Sequence, residues 1–200
     1  LDRTNDNIGN ESIFKSALAG KSVTTVKLRE GLMVPEVTVV AAVPLHIDAT
    51  TGKAAGVVVT GFTIDSAFVD GIKSVTGLDA TVFGLDKRAA TTYISSDGKS
   101  RFAGTKETNP KVLEAVLKKG EYYVREDKIF NQSFYAAYAP IKTYDKKIIG
   151  MLFVGKPQST LLDAAKQSIS LTFSGSIILI LLSLIPAYFF SRFLKEQLEA

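Results

Sequence analysis

The sequence has 200 residues, of which 46% are hydrophobic and 22% charged, values typical of a globular chain and not of a disordered one. The net charge of +4 comes from basic residues that are scattered along the chain and form no single run, which argues against a nucleic-acid-binding protein. Cysteine is absent, so the sequence contains neither a disulfide framework nor a thiolate metal site.

The first part of the chain is predicted to form a helix, a strand and a long two-stranded hairpin. The helix and the strand lie in SIFKSALAGKSVTTV (12–26). The two strands of the hairpin lie in VVAAVPLHID (39–48) and GVVVTGFTID (56–65). The segment from Asp65 to Gly77 is predicted to form a helix that joins this part to the next.

The second part is predicted to contain five strands and one helix. The first two strands, Ala80–Phe83 and Arg88–Ile94, are separated by a turn. The helix carries Val112, Val116 and Leu117 on one face and ends at Gly120, a residue suited to a C-terminal cap. The last three strands are expected at Tyr122–Arg125, Phe134–Ile141 and Ile148–Val154. The predicted fold class is therefore α+β, with an antiparallel five-stranded sheet and a flanking helix.

The two parts resemble each other, which indicates a duplicated structural unit. Gly20 in the first part matches Gly120 in the second, and Pro44 matches Pro140. The first part has no room for the opening pair of strands, so we expect it to be a truncated copy of the second.

A membrane-spanning helix is predicted at the end of the chain. From Ile169 to Phe190 (ISLTFSGSIILILLSLIPAYFF) no charged residue occurs, and a helix of this length reaches roughly 33 Å, enough to cross a hydrocarbon core of about 30 Å. Arg192 and Lys195 follow directly, so the positive-inside rule favours a cytoplasmic C-terminus. Both ends of the chain suggest a fragment of a longer protein. The expected domains are 1–77 (truncated unit and connecting helix), 78–160 (membrane-proximal unit), 161–190 (juxtamembrane and transmembrane helix) and 191–200 (start of a cytoplasmic segment).

The order of elements and several local patterns resemble the Cache family of PAS-like extracytoplasmic sensor domains. These patterns are Gly-Thr-Lys at 104–106, a helix ending in Gly120, Ala-Tyr-x-Pro-Ile at 137–141 and IGMLFVG at 149–155. The resemblance covers about Leu78 to Thr160, and residues 1–77 resemble the back half of a second unit in a double Cache arrangement. It implies a bacterial inner-membrane receptor of the chemoreceptor, histidine kinase or diguanylate cyclase type. A homodimer in contact with lipid is also implied, with no cofactor. The Tyr-x-Arg-x-x-Trp pattern of amino-acid-sensing double Cache domains is absent, which disfavours an amino-acid ligand.

The same resemblance places the ligand between the sheet and the loops and helix in front of it. Arg101 and Lys106 flank a loop containing Gly104 and are candidates to bind a carboxylate, so the predicted ligand is a small organic acid. Aromatic walls and a neighbouring hydroxyl complete the predicted site: Tyr123, Phe134, Tyr138 and Thr91. Solvated loop charges and ordinary core packing are the competing interpretations of these residues.

Enzyme motifs are incomplete, and we predict that the chain is not an enzyme. Ser12 and Lys15 match Ser-x-x-Lys, but the accompanying Lys-Thr-Gly and Ser-Asp-Asn motifs of serine β-lactamases are missing. His46 is the only histidine and has no Ser or carboxylate placed to define a triad. The alternative to a signalling receptor is a membrane-anchored extracytoplasmic binding or assembly module without signalling output.

Overall fold

The computed structural model describes residues 8–48, 50–95, 98–129, 132–160, 169–182 and 186. The chain divides into two compact units, Leu1–Lys156 and Pro157–Ala200. The first unit contains two antiparallel sheets, and it is described first.

A three-stranded sheet with one covering helix forms the N-terminal part of this unit. Its elements are α1 (Ser12–Leu18), β1 (Val23–Arg29), β2 (Glu36–Ile47) and β3 (Ala54–Thr63), with strand order β1-β2-β3. Helix α1 covers one face of the sheet because its apolar residues recur four positions apart and pack on alternate strand residues. The resulting core consists of Ile13, Ala17, Val23, Val40 and Ala42.

Helix α2 (Ser66–Thr76) connects the two sheets, as the sequence predicted. Its start is set by Asp65, whose side chain accepts a hydrogen bond from the Phe68 N–H at 3.1 Å. Its end is set by Gly77, which adopts the left-handed conformation with φ of 70°. Val69 is fully buried where the helix packs on the second sheet.

The five-stranded sheet predicted for the second part is present. Its elements are β4 (Asp79–Gly84), β5 (Lys87–Thr91), α3 (Pro110–Val112, continued by a π-helix at Leu113–Lys119), β6 (Tyr123–Ile129), β7 (Gln132–Lys142) and β8 (Ile148–Pro157). The strand order is β5-β4-β8-β7-β6, so the apolar strand β8 is central, as expected for a strand covered on both faces.

Strand β5 is shorter than predicted. It ends at Thr91 and not at Ile94, which makes only an isolated bridge to Arg101. The reason is the Thr92 hydroxyl, which donates to Asp79 Oδ1 at 2.8 Å and accepts from the Ala80 N–H at 3.0 Å. These side-chain bonds hold Thr92 against the start of β4, and the regular strand pairing ends there.

The two faces of the five-stranded sheet have different neighbours. The front face carries the aromatic core and is covered by α3 and the π-helix, whose respective residues Val112 and Val116 are fully buried. The back face packs against α2 and the three-stranded sheet through a second core made of Val37, Ile64, Val69, Ala80, Val82 and Ala90. The sheets are in tight contact at Gly84, where an added Cβ would lie 2.5 Å from Leu28 Cδ1.

The element order α1-β1-β2-β3 is the same as α3-β6-β7-β8. The matched glycines that follow the two helices both have a left-handed backbone, with φ of 84° at Gly20 and 71° at Gly120. The interpretation of the first part as a truncated duplicate, and the domain boundaries drawn from it, remain predictions.

In the second unit, residues 169–182 are helical. Their large apolar side chains are exposed, with Leu171 and Leu179 at 68% and 69%. Among the described residues, no helix combines the length and hydropathy needed to cross a bilayer. The predicted span continues through residues 183–185 and 187–190, which lie outside the described residues, as do the predicted juxtamembrane segments 161–168 and 191–200.

Candidate ligand-binding site

The segment that follows β5, residues 92–109, leads from that strand to α3 and is pinned to the strand by backbone hydrogen bonds. Gly104 donates to the Arg88 carbonyl at 2.8 Å, and Arg88 donates to the Thr105 carbonyl at 2.8 Å. Gly104 has a φ of 80°, a left-handed conformation that favours glycine. We call residues 92–109 the front segment; these bonds place it beside β5, an edge strand of the sheet.

Arg88 places a cation in the buried front-face core. Its side chain is only 5% exposed, and its guanidinium donates to Glu107 Oε2 at 3.2 Å and to the Lys106 carbonyl at 2.9 Å. It also lies over the Phe83 ring, 5.0 Å from the centroid. Burial lowers the pKa of Arg88, and the neighbouring Glu107 carboxylate opposes that shift.

Glu107 ties the front segment to the core. Its Oε1 accepts the backbone N–H groups of Thr108 and Asn109 at 3.0 and 3.1 Å, and Oε2 accepts from Arg88. The Tyr138 hydroxyl lies 3.1 Å from Asp127 Oδ2 and 3.4 Å from Glu107 Oε2. Burial, and then the two carboxylates, raise the pKa of Tyr138, so this phenol stays neutral and donates its proton.

Four of the six predicted site residues lie together on the front face. The ring centroids of Tyr138 and Phe153 are 5.0 Å apart. The centroid distance is 6.4 Å between Phe134 and Phe153 and 6.2 Å between Tyr123 and Tyr138. The fourth residue, Thr91, is fully buried, and its hydroxyl is 2.7 Å from that of Thr81. Phe134 and Tyr138 are each only 1% exposed, so they are part of the packed core in this conformation.

The two predicted cations are not brought together. Arg101 forms an isolated β-bridge with Ile94, and Lys106 forms one with Lys87. The two cations therefore lie beside opposite ends of β5. Lys106 is 65% exposed at its side chain and forms an ion pair with Asp86 at 3.0 Å. Any site that uses both cations therefore requires the front segment to change conformation.

Arg101 forms a two-pronged ion pair with helix α2. Its two terminal nitrogens donate to the two carboxylate oxygens of Asp70, each at 2.8 Å, and one of them also donates to the Thr91 carbonyl at 2.8 Å. The hydrogen bonds and the charge of Arg101 lower the pKa of Asp70. The side chains are 29% and 48% exposed, so this pair lies at the rim of the core and not inside it.

Sequence reasoning missed four polar residues of this region: Asp70, Arg88, Glu107 and Asp127. Arg88 was assigned only as the start of a strand, although a charged residue between apolar strand neighbours is a signal of a buried ion pair. The partners of Arg88 are 18 and 19 residues further along the chain, so the spacing of residues in the sequence does not identify them. Within the described part of the chain, no group of three or more His, Cys, Asp or Glu side chains is placed to hold a metal ion.

The profile of the family "Single cache domain 3" matches residues 60–168, more than half of the chain. The chain belongs to the single Cache domain 3 family. Cache is a family of sensor domains and not of catalysts, so the chain is a Cache-type ligand-sensing domain. The match begins in β3 and includes α2, the five-stranded sheet and the front segment of this Cache domain.

Two solved structures are similar to this Cache chain. The sensor domain of Escherichia coli DcuS is 16% identical, with a TM-score of 0.40 over 50% of this chain and 71% of that one. A methyl-accepting chemotaxis protein X is 18% identical, with a TM-score of 0.42 over 74% of this chain and 55% of that one. The Cache chain thus spans about half the length of the chemotaxis protein. No curated protein matches the sequence.

Proposed function

We propose that this Cache chain is the extracytoplasmic sensor region of a bacterial membrane receptor and that its ligand is a small organic anion. Membership of a sensor family supports ligand sensing. The choice of an anion depends on Arg101, Lys106 and the aromatic residues Tyr123, Phe134 and Tyr138. Thr91 contributes its carbonyl, which already positions Arg101.

The observation that carries the proposal is the bidentate Arg101–Asp70 pair. A guanidinium that grips one carboxylate with two parallel bonds has the geometry to grip another, and planar carboxylates are the ligands that arginine binds best. Asp70 is nearly half exposed, so an incoming carboxylate can reach the same guanidinium from solvent. Asp70 then acts as an internal competitor that the ligand displaces.

Displacement of Asp70 requires little free energy because the pair is partly solvated. Exposed ion pairs are typically worth about 0–1 kcal/mol, and the two-pronged geometry puts this pair at the upper end of that range, still much less than a buried pair. Release of Asp70 also detaches the front segment from α2, and the ligand gains contact with the aromatic layer beneath. Lys106 supplies a second cation on the same segment and is paired with the half-buried Asp86.

Signalling through the membrane is the second part of the proposal. The apolar stretch 169–190 is proposed to span the inner membrane, with residues 1–160 outside, and the receptor is proposed to act as a homodimer. The described residues 169–182 support this because they are helical, exposed and free of charge. The alternative, a membrane-anchored binding module, differs only in lacking an output domain, and the full reading frame separates the two.

The test is calorimetry of the 200-residue chain in lipid nanodiscs with acetate, succinate and benzoate as probes. The wild-type chain is expected to bind at least one acid, and Arg101→Ala is expected to weaken binding by about 1.5–3 kcal/mol. Asp70→Asn removes the internal competitor without changing the side-chain shape, so it is expected to tighten binding. Opposite effects of these two changes identify Arg101 as the anion contact.

Lys73→Ala serves as the control, because Lys73 lies on the same helix as Asp70 and forms an ion pair with Asp79 instead. It is expected to leave the affinity within twofold of wild type. Absence of binding by the wild-type chain, or equal affinity in the Arg101→Ala chain, counts against this site.

A further inference from the structure

A groove separates the three-stranded sheet from the five-stranded sheet within the first unit. It has a volume of about 660 Å³, within the range of small-molecule sites. The two sheets are linked beside it, where the Tyr144 N–H donates to Thr25 Oγ1 at 2.8 Å and Ser12 donates to Asp145 Oδ2 at 2.6 Å. We call this space the inter-sheet groove; it does not include Arg101 or any other residue of the proposed front-face site.

The charges that line the inter-sheet groove are unequally matched. Lys27 forms an ion pair with Glu11, and Asp145 accepts the Ser12 hydroxyl. Two further cations line the groove: Arg29 at the end of β1 and Lys147 in the connection just before β8. Neither has an ion-pair partner among the described residues. With Asp145 counted, the lining has three cations and two anions, so the groove has a net positive charge.

Apolar residues also line the groove, and one of them is held there in a strained conformation. Leu28, Leu85, Ile148 and Ile149 line the groove between the cations. Leu85 is half exposed and has a φ of 52°, a left-handed conformation that costs a leucine roughly 1–2 kcal/mol. It is the first central residue of the two-residue turn between β4 and β5, a position where a positive φ normally selects glycine. The strained turn keeps a large apolar side chain in the groove.

We propose that the inter-sheet groove binds a small organic anion with an apolar body. Its charged group lies between Arg29 and Lys147, and its apolar body packs on Leu85 and the neighbouring isoleucines. Because Arg29 lies on β1 and Lys147 directly precedes β8, the ligand links the two sheets. This site is separate from the front-face site of the proposed function and does not depend on it.

The experiment is calorimetry of the 200-residue chain in nanodiscs with 4-phenylbutyrate, and empty nanodiscs correct for partitioning into lipid. Arg29→Gln and Lys147→Gln are each expected to raise the dissociation constant about tenfold, the size of one lost charge-assisted contact at a partly exposed site. Lys146→Gln is the matched control, because Lys146 is the adjacent lysine and does not line the groove. It is expected to change the affinity less than twofold.

Two further measurements separate binding in the inter-sheet groove from binding elsewhere on the chain. The amine 4-phenylbutylamine has the same apolar body with the opposite charge and is expected to bind at least tenfold more weakly than the acid. Arg101→Ala is expected to leave the binding of 4-phenylbutyrate unchanged. The proposal is overturned if the wild-type chain does not bind the acid, if the amine binds equally well, or if Lys146→Gln and Lys147→Gln have the same effect. Loss of binding in Arg101→Ala also overturns it, because the acid would then occupy the front face.

Discussion

Replacing Glu107 with Gln is expected to lower the free energy of unfolding of the first unit by about 3–5 kcal/mol. The change leaves the Arg88 guanidinium buried without a balancing charge. The two side chains are only 8% and 5% exposed, so water cannot take over the lost interaction. The shape of the side chain is retained, but the hydrogen bonding is not. One carboxylate oxygen accepts two backbone N–H groups and the other accepts from Arg88. An amide has a single oxygen, so its NH2 group must face one of these donors.

The assay is urea unfolding of the 200-residue chain, followed by the near-ultraviolet circular dichroism of its seven tyrosines, since the sequence has no tryptophan. The matched control is Asp86→Asn, which removes a carboxylate from the exposed pair that Asp86 forms with Lys106 of the front segment. That change is expected to cost less than about 1 kcal/mol. A second variant, Glu107→Leu combined with Arg88→Met, removes both charges and is expected to recover most of the loss.

Equal and small losses in Glu107→Gln and Asp86→Asn would refute the reasoning, since they would show that Arg88 is solvated in solution. A double variant that is no more stable than Glu107→Gln would refute it differently. In that case the loss would come from the broken backbone contacts of the front segment and not from an unbalanced charge.

Three further predictions concern backbone freedom and signal transfer. Gly71 is exposed inside α2, and a Cβ there meets nothing within 4 Å, so Gly71→Ala is expected to stabilise the fold by about 0.5–1 kcal/mol in thermal unfolding. Gly120→Ala is expected to destabilise it by about 1–2 kcal/mol, because φ is 71° and the added Cβ would lie 3.0 Å from Ile148 Cδ1; equal effects at both positions would contradict this. Inserting Gly-Gly-Ser after Gln158 in the full-length receptor is expected to preserve ligand binding and abolish output, because residues 158–160 are helical directly after β8 and a stiff helix is proposed to carry the signal onward from there. Retained output would rule out that route.

Local sequence signals were enough to predict the elements of the fold. Asp65 and Gly77 mark the ends of α2 because a cap acts through bonds only a few residues long. The unbroken apolar run of Ile148–Val154 has no polar face to expose, which agrees with the central position of β8 in the sheet. The end of β5 was predicted three residues too late because it depends on a bond between Thr92 and Asp79, and β-propensity carries no information about such a contact.

The candidate site was predicted less completely, for a physical reason that concerns charge pairing. Arg101 and Lys106 were predicted as site residues because of their charge. Their ion-pair partners, Asp70 and Asp86, lie 31 and 20 positions away in the sequence, so the pairing was not predicted. Scattered charges in this sequence offer many combinations, and only the folded chain selects among them. The aromatic residues were easier to place, since alternation along β6 and β7 assigns Tyr123, Phe134 and Tyr138 to one face.

The contrast between the two ion pairs of the front segment determines how it opens under the proposed function. The Arg101–Asp70 pair is 29% and 48% exposed, whereas the Arg88–Glu107 pair is 5% and 8% exposed. A ligand that supplies one carboxylate can replace Asp70 at little cost, but replacing Glu107 would break a buried pair worth several kcal/mol. The segment therefore opens at Arg101 and stays anchored at Glu107. Since Asp70 lies on α2, the first element released by the ligand is the helix that joins the two sheets.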